Sequence, residues 1–411
     1  MTIFGLAMSE VSARVSAVAG AADGDQTAEI FARAGWSGIA EPGDRVAGEL
    51  IAALGPARAL TVLIDRAPAE SIAAEIADSG AAPNDVGVAD VAKALDRWSP
   101  RLRSSSALLA LAQAARLGVR LLTPGDPLWP ASLADLGPHA PIALWVRGTE
   151  EALTALDRSI SLVGARAATG YGEHVTMEAS AGLVDRGFAI VSGAAYGIDG
   201  MAHRTALASR GVTVAFLAGG VDRFYPSGHD ALLARMVECG AVISELPCGA
   251  QPSKWRFLQR NRLIAATGQA TVVLEAGQRS GSLNTAGHAA ALGRPLGAVP
   301  GPVTSPASAG CHRLIREFDA VCVTTAQQMA DLVDGGAGAA PGSEGPENGS
   351  RSAAATRVLD ALSPRSSRDT ADLAARSGLA VAEVQAVLGE LDLEGAVRER
   401  ESGWVSTVSS R

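Results

Sequence analysis

The segment KWRFLQRNR, from Lys254 to Arg262, concentrates residue types that bind polyanions. Four of its nine residues are cationic, none is acidic, and Trp255 and Phe257 stand between the charges. Cations hold phosphates and an aromatic ring offers a base a stacking face, which is typically worth ~1–3 kcal/mol per base. The segment therefore favours contact with a single-stranded nucleic acid. The alternative is structural: the rings would anchor the core and the cations would form a solvated helix face.

We expect these cations to share one side of a helix. A helix is predicted to begin near Phe257, with Lys254 and Arg256 preceding it in a loop. Residues three and four apart are neighbours on a helix surface. Arg256, Arg260 and Asn261 would then fall on neighbouring turns and face one ligand together.

Glycine- and serine-rich loops follow several predicted strands and could serve the same ligand. They read GARAATGYG (164–172), GAAYGIDGMAH (193–203) and EAGQRSGSLNTAGHA (275–289). Glycine lets backbone N–H groups approach an anion, and a helix that starts nearby adds its positive end. Asp199 is expected to cap one such helix, and Ser280–Ser282 to open another. A single glycine loop is weak evidence, but several at one sheet edge predict a surface for a polyanion or a nucleotide.

The elements that must position these loops alternate between strands and helices. Short apolar runs separated by amphipathic stretches of helix length predict βαβ units and a mostly parallel sheet covered on both faces. Ligands of such sheets collect beyond the carboxyl ends of the strands. The predicted strands are 159–164, 188–193, 212–219, 241–246, 270–276, 295–301 and 320–325.

The 411 residues are too many for one ordinary core, and we expect four segments. They are an all-helical domain (1–122), the α/β domain (123–334), a Gly/Pro-rich flexible linker (335–350) and a winged-helix domain (351–411). The third helix of the last domain has no Lys or Arg between residues 380 and 393. An acidic helix is poorly suited to lie among phosphates. We interpret this domain as a protein-contact module, or as an accessory DNA contact through Arg398 and Arg400.

Composition excludes several classes of protein. The net charge of −8 and pI near 5.4 argue mildly against indiscriminate nucleic-acid binding, although an acidic body can confine DNA to one positive groove. No apolar run reaches the ~20 residues of a membrane span, and no signal peptide is evident. Four scattered cysteines fit reduced thiols of a cytoplasmic protein and no metal site. No cofactor motif is present.

Catalytic patterns are also missing. The sequence contains no HExxH, no GxSxG and no GxxxxGK[ST] motif. His203 and His288 are expected early in helices, and Glu245 and Glu275 at strand ends. We favour structural or ligand-contacting roles for these four residues over acid–base chemistry.

Six stretches of this chain, in order, resemble the DNA-processing protein A family (DprA/Smf). They are SLVGARAATGYG, VSGAAYGIDGMAHRTAL, GGVDRFYP, ISELPCGAQPSKWRFLQRNRLIAA, VVLEAGQRSGSLNTAGHAAALGRP and AVPGPVTSPASAGCHRLIREFDAVCV. The match is dense over residues 126–334. The resemblance implies a dimeric cytoplasmic protein with an extended Rossmann-like domain, flanked by a helical domain of the SAM or helix-hairpin-helix type and a winged helix. It implies binding of incoming single-stranded DNA during natural transformation, loading of the RecA recombinase, and no enzymatic activity.

The same resemblance implies which residues form the DNA pocket. They are Gly164, Arg166, Lys254, Arg256, Phe257, Arg260, Asn261, Arg262, Ser280, Gly281 and Ser282. Three positions depart from the family pattern: Ala165 replaces a serine, Tyr196 an arginine and Leu258 a proline. Two hypotheses remain open for Tyr196, namely weaker phosphate binding or stacking of a base.

Two hypotheses of other classes compete with DNA binding. One is a nucleotide-binding enzyme similar to the phosphoribohydrolases with a Rossmann-like fold. It is disfavoured because the region EAGQRSGSLNTAGH lacks their Thr-x-x-Glu. The other is a protein-interaction adaptor that acts mainly through its winged helix.

Overall fold

The computed structural model describes residues 2–80, 86–334, 353–364, 366–377, 379–400 and 402–407. The chain separates into two compact units, Met1–Ala337 and Gly338–Arg411. The predicted linker, 335–350, lies outside the described residues. The boundary predicted at residue 122 falls inside the first unit and remains a prediction.

The first unit opens with a short hairpin and seven helices. The hairpin pairs β1 (Thr2–Ile3) with β2 (Leu6–Ala7). The helices are α1 (Met8–Ala19), α2 (Gly24–Ile39), α3 (Arg45–Leu54), α4 (Pro56–Ile64), α5 (Ala69–Asp78), α6 (Val88–Trp98) and α7 (Ser104–Arg116). Local signals set their ends: Asp23 forms a capping box with Gln26, and Asp44 accepts hydrogen bonds from two first-turn N–H groups of α3. The segment predicted to be helical is thus mainly helical, with short strands in addition.

A nine-stranded sheet follows and confirms the mostly parallel α/β prediction. Its order is β11-β10-β9-β5-β6-β7-β8-β4-β3, and only β3 and β4 run antiparallel to their neighbours. These two strands were not predicted, and β3, which forms one edge of the sheet, starts before residue 123. The strands are β3 (Arg120–Leu122), β4 (Leu144–Gly148), β5 (Ser159–Gly164), β6 (Ala189–Ser192), β7 (Thr213–Phe216), β8 (Ala241–Ser244), β9 (Ala270–Glu275), β10 (Leu296–Ala298) and β11 (Val321–Cys322).

Helices cover both faces of this sheet. Successive side chains of a strand point to opposite faces, and Ile160 and Leu162 accordingly join one buried cluster while Val163 joins another. The α-helices are α8 (Glu150–Thr154), α9 (Gly170–Val184), α10 (Ile198–Ala208), α11 (Asp230–Cys239), α12 (Lys254–Thr267), α13 (Ser282–Ala291), α14 (Ala309–Glu317) and α15 (Ala326–Asp334). Short 3-10 helices span Ser99–Arg101, Ala131–His139, Ala155–Arg158, Ser227–His229 and Pro306–Ser308.

A third buried cluster joins the N-terminal helices to the sheet. Val11 of α1, Phe31 of α2 and Leu111 of α7 pack with Trp145 of β4 and Val242 of β8. The early helices therefore supply the cover that one face of the sheet needs on its antiparallel side.

The second unit has the three helices and the hairpin that were predicted. They are α16 (Ala353–Ala361), α17 (Thr370–Ser377), α18 (Val381–Leu393), β12 (Val397–Arg400) and β13 (Gly403–Ser406). Helix α18 buries Val384, Val387, Leu388 and Leu391 in the core of this unit. Its carboxylates are all exposed, so its outer face is acidic. They are Glu383, Glu390, Asp392 and, just beyond the helix end, Glu394.

Within the described ranges, no single helix is long and apolar enough to cross a membrane. Helices α3 and α4 meet that criterion only when taken together, and they are bent by 110° at Gly55.

Candidate nucleic-acid interface

A cavity of about 920 Å³ opens at the carboxyl ends of the parallel strands. Among the described residues, six strand-end segments line it, those of β5, β6, β7, β8, β9 and β10. Parallel strands bring their carboxyl ends to one edge of a sheet, which is where ligands of this architecture bind. The loops that the sequence predicted to converge therefore do meet around one space.

Nine of the eleven predicted site residues line this cavity. Three come from the loop that opens α13, two from the loop after β5 and four from α12. They are Ser280, Gly281, Ser282, Gly164, Arg166, Lys254, Phe257, Arg260 and Asn261.

Helix α12 begins at Lys254, three residues before its predicted start. Ser253 is the N-cap, because its hydroxyl accepts a hydrogen bond from the Arg256 backbone N–H at 3.3 Å. A serine at this position satisfies an otherwise unpaired N–H group of the first turn. Lys254 and Arg256 therefore lie within the helix and not in a loop. Ser253 and Lys254 line the cavity, so the positive N-terminal end of α12 faces it.

The structure does not bring Arg256 and Arg262 to the cavity. Arg256 donates to both carboxylate oxygens of Glu41, at 3.0 and 2.8 Å. Arg262 is buried and donates to both oxygens of Glu245 at 2.7 and 2.8 Å, and its Nε donates to the His139 carbonyl. These two cations are neutralised by carboxylates from distant parts of the sequence.

Arg260 forms the buried floor of the cavity. Its guanidinium donates to the carbonyl oxygens of Gly193, at 2.7 Å, and of Phe216, and its Nε donates to the Asn261 side chain at 3.2 Å. A side chain at residue 193 would collide with the guanidinium, so this approach requires glycine. Burial lowers the pKa of Arg260 to about 10, and the nearby Asp199 opposes that decrease. Arg260 therefore stays cationic at neutral pH.

Asp199 organises the loop after β6 and does not cap its helix as predicted. The N-cap of α10 is Gly197, whose φ of 74° and close approach to the Ala165 carbonyl exclude a side chain. The Asp199 carboxylate instead accepts hydrogen bonds from the N–H groups of Gly193 and Ala195, at 3.2 and 3.4 Å. Burial raises its pKa, and Arg260 acts in the opposite direction. The loop after β6 is thus held by the Asp199 carboxylate, which binds its N–H groups, and by Arg260, which binds the Gly193 carbonyl.

The ring of Phe257 lies between charged and aromatic neighbours. The guanidinium carbons of Arg166 and Arg260 lie 5.3 and 5.9 Å from its centroid. The ring of Tyr225 lies 5.4 Å away, tilted by 51°, and Tyr225 is half exposed. Cations over a ring face are attracted to its quadrupole. Rings and cations thus alternate along the cavity wall.

Two cavity residues were missed at the sequence level. Tyr225 follows β7, and Arg279 is an exposed cation of the loop after β9. Both stand beyond strand ends, which is the signal that could have identified them. Among the described residues, Arg166, Lys254 and Arg279 have no ion pair, so three charges of the cavity are free for a ligand.

The loop that opens α13 supplies neutral donors. The hydroxyls of Ser280 and Ser282 are 2.7 Å apart, and Ser280 accepts from the Ser282 N–H at 3.4 Å. Asn261 donates to Asn284 at 3.1 Å, which links α12 to α13. Gly281 and Ser282, the N-cap and first residue of α13, both line the cavity, so the positive end of this helix also faces it.

Tyr196 is not among the residues that line the cavity. Its hydroxyl accepts from the Gly228 N–H at 3.3 Å, and its ring packs edge-on against His229 at 4.9 Å. At this position the chain has lost the family's arginine without placing the tyrosine ring in the cavity.

The cavity is poor in acid–base groups. Of the described residues that line it, none is histidine or cysteine, and Asp199 is the only carboxylate. His203 is buried, contacts Thr213 at 2.6 Å, and burial lowers its pKa to about 3. His288 lies in the last turn of α13, not early in the helix as predicted. The arrangement can hold phosphates and bases, and it offers little for bond cleavage.

Comparisons with known proteins agree with this architecture. A family model described as DNA recombination-mediator protein A matches residues 120–334, and a DprA winged helix domain model matches residues 341–403. The chain is 46% identical to a putative DNA processing protein DprA of Mycobacterium tuberculosis, over 70% of this chain and 77% of the relative. It is 36% identical to protein Smf of Escherichia coli, over 64% and 71%.

A solved structure is similar as well. The X-ray structure of DprA from Streptococcus pneumoniae superposes with a TM-score of 0.55 at 29% identity, covering 73% of this chain and 95% of that one. The sheet, its cavity and the sequence matches lead to one assignment. The chain belongs to the DprA/Smf family of DNA-processing proteins.

Proposed function

We propose that this protein binds single-stranded DNA in the cavity at the sheet edge. One observation carries the proposal: the cavity holds the ring of Phe257 between the guanidinium groups of Arg166 and buried Arg260, and Lys254 lines the same cavity without an ion pair among the described residues. Free cations contact phosphates, and exposed ring faces stack bases of any sequence. The faces of duplex bases are already stacked on their neighbours, so this combination suits a single strand better.

The proposed role in the cell is that of a mediator of recombination. The protein would protect incoming single strands during transformation and load RecA onto them, as a cytoplasmic homodimer without enzymatic activity. Support comes from family membership and from the scarcity of acid–base groups in the cavity. A RecA nucleation assay on single strands, with wild type and a cavity variant, measures loading, and light scattering measures the oligomeric state.

The test of DNA binding removes charge without touching the buried floor. We expect the double variant Arg166→Gln, Lys254→Gln to bind oligo-dT at least tenfold more weakly than wild type at fixed low salt, because about two phosphate contacts are lost. Its melting temperature should change little, since both side chains are exposed and have no ion pair among the described residues, and the contact of Arg166 with the Phe257 ring is at the surface. Fluorescence anisotropy with single-stranded and duplex probes gives both affinities. Equal affinities of variant and wild type for oligo-dT would refute the proposal.

A further inference from the structure

A second cavity, of about 640 Å³, lies beside the first and within the same unit. Its floor is apolar and includes Phe31, Leu60 and Leu246, which belong to the N-terminal helices and to the loop after β8. Of the described residues that line it, four are arginines and none carries a carboxylate. The arginines are Arg66, Arg101, Arg103 and Arg256. An apolar floor with a cationic rim fits a ligand that has rings and negative charges.

Only part of this charge is neutralised within the protein. Glu41 pairs with Arg101 at 2.9 Å and with Arg256 at 2.8 Å. Arg66 and Arg103 are exposed, and neither has an ion pair within the described part of the chain. Unpaired exposed cations gathered around an apolar surface repel one another, so a bound polyanion would stabilise the arrangement.

The two cavities are adjacent along helix α12. Lys254 lines the first cavity and Arg256 the second, and their positions differ by about 3 Å along the helix axis at 1.5 Å per residue. The preceding loop divides in the same way, because Ala250 lines the second cavity and Pro252 the first. Between them Trp255 is 58% exposed. A strand that leaves the first cavity over the first turn of α12 meets an exposed ring and then the arginines.

We propose that the second cavity binds the continuation of the same DNA strand. This inference rests on the proposed function of the first cavity and extends its binding track to the N-terminal helices. An acidic peptide would match the charge of the rim. The first turn of α12, which contributes to both cavities, and the exposed ring of Trp255 in that turn favour a strand instead.

The experiment compares probe lengths. A ladder of oligo-dT from about 4 to about 16 nucleotides spans the site sizes of single-strand binding domains. The variant Arg66→Gln, Arg103→Gln should bind the longest probes about tenfold more weakly and the shortest probes as wild type does. Its salt slope for long probes should fall by about 1.4, at about 0.7 for each lost phosphate contact. The measurement is fluorescence anisotropy on the full chain.

Two control variants separate the explanations. Arg14→Gln, Arg116→Gln removes the same charge from exposed sites outside both cavities, and Arg66→Lys, Arg103→Lys keeps the charge in place. Both should bind every probe as wild type does. The inference is overturned if Arg66→Gln, Arg103→Gln weakens the binding of short and long probes equally. It is also overturned if this variant binds all probes as wild type does, which is the result expected if the second cavity binds an acidic peptide. A wild-type protein that binds no probe of any length would instead refute the proposed function.

Discussion

The four cations of helix α12 fall into two groups that use the same residue types for different purposes. In the cavity group, Lys254 is exposed and Arg260 lies against the ring of Phe257. In the paired group, Arg256 and Arg262 are held by carboxylates. Four cations close together in the sequence therefore do not form one surface. The difference teaches that the position of the acidic partners, and not the density of cations, decides which charges a ligand can use.

Of the two groups, the paired group should contribute more to stability. We expect Arg262→Met to lower the free energy of unfolding by about 3–5 kcal/mol, because it leaves the buried carboxylate of Glu245 without its partner. The folded protein should bind oligo-dT with unchanged affinity. Urea unfolding and anisotropy measure the two quantities. Adding Glu245→Leu should recover part of the lost stability. An Arg262→Met variant that lost DNA affinity but kept its stability would show that Arg262 belongs to the cavity group.

Arg260 should contribute both to stability and to DNA binding. Arg260→Gln leaves the carbonyls of Gly193 and Phe216 without a guanidinium donor, and an unsatisfied buried group costs about 1–3 kcal/mol. The same change removes the cation from the cavity floor. We expect lower stability by denaturation and weaker oligo-dT binding in the folded range. If Arg260→Gln changed only the stability or only the DNA affinity, Arg260 would have one of these two roles and not both.

Phe257 should affect binding and little else. We expect Phe257→Leu to weaken oligo-dT binding by about 1–3 kcal/mol for each stacked base, because leucine offers no ring face. The matched control is Phe318→Leu, since Phe318 is exposed and lies under Arg313 but outside the cavity. Anisotropy with both variants checks the difference. Equal affinities of the two variants for oligo-dT would show that Phe257 does not stack a base.

The smallest effect should come from Glu41. The hydrogen bond from Arg256 lowers the pKa of Glu41, and burial opposes the decrease. A depressed carboxylate pKa adds stability that is present above its unfolded value and is lost as the pH falls through the folded value. Glu41→Gln should therefore cost under about 1 kcal/mol at neutral pH. The difference from wild type should vanish as the pH falls below the usual glutamate range.

Urea unfolding over a pH series measures the Glu41 effect. The control is Glu178→Gln, because Glu178 is exposed and has no ion pair among the described residues. A gap between wild type and Glu41→Gln that stayed constant from neutral to acid pH would contradict the pKa argument.

The sheet was largely predictable because its parallel strands are continuous apolar runs. Strand β5 matches its predicted range, and the others begin and end within a few residues of theirs. Strands β3 and β4 were missed because they pair antiparallel with each other, and β4 also with β8, so neither belongs to a βαβ repeat. Pairing partners of such strands depend on tertiary contacts, which local patterns do not contain.

The site was predictable at the level of its loops and less so for single cations. Arg256 and Arg262 seemed free because no acid is interleaved with them, but Glu41 and Glu245 approach from other elements. Conversely, Tyr225 and Arg279 stand in loops with no concentration of charge and were overlooked. Spacing along the chain identifies the sheet edge, whereas side-chain partners become visible only in three dimensions.

The cluster that joins the early helices to the sheet has a consequence for synthesis on the ribosome. Val11, Phe31 and Leu111 emerge first, but their partner Val242 lies on a strand that is made much later. Contacts between distant parts of a chain form slowly, because a long loop must close first. Until β8 has emerged, this apolar face lacks part of its cover, so a partly synthesised chain exposes more apolar surface than the finished fold does.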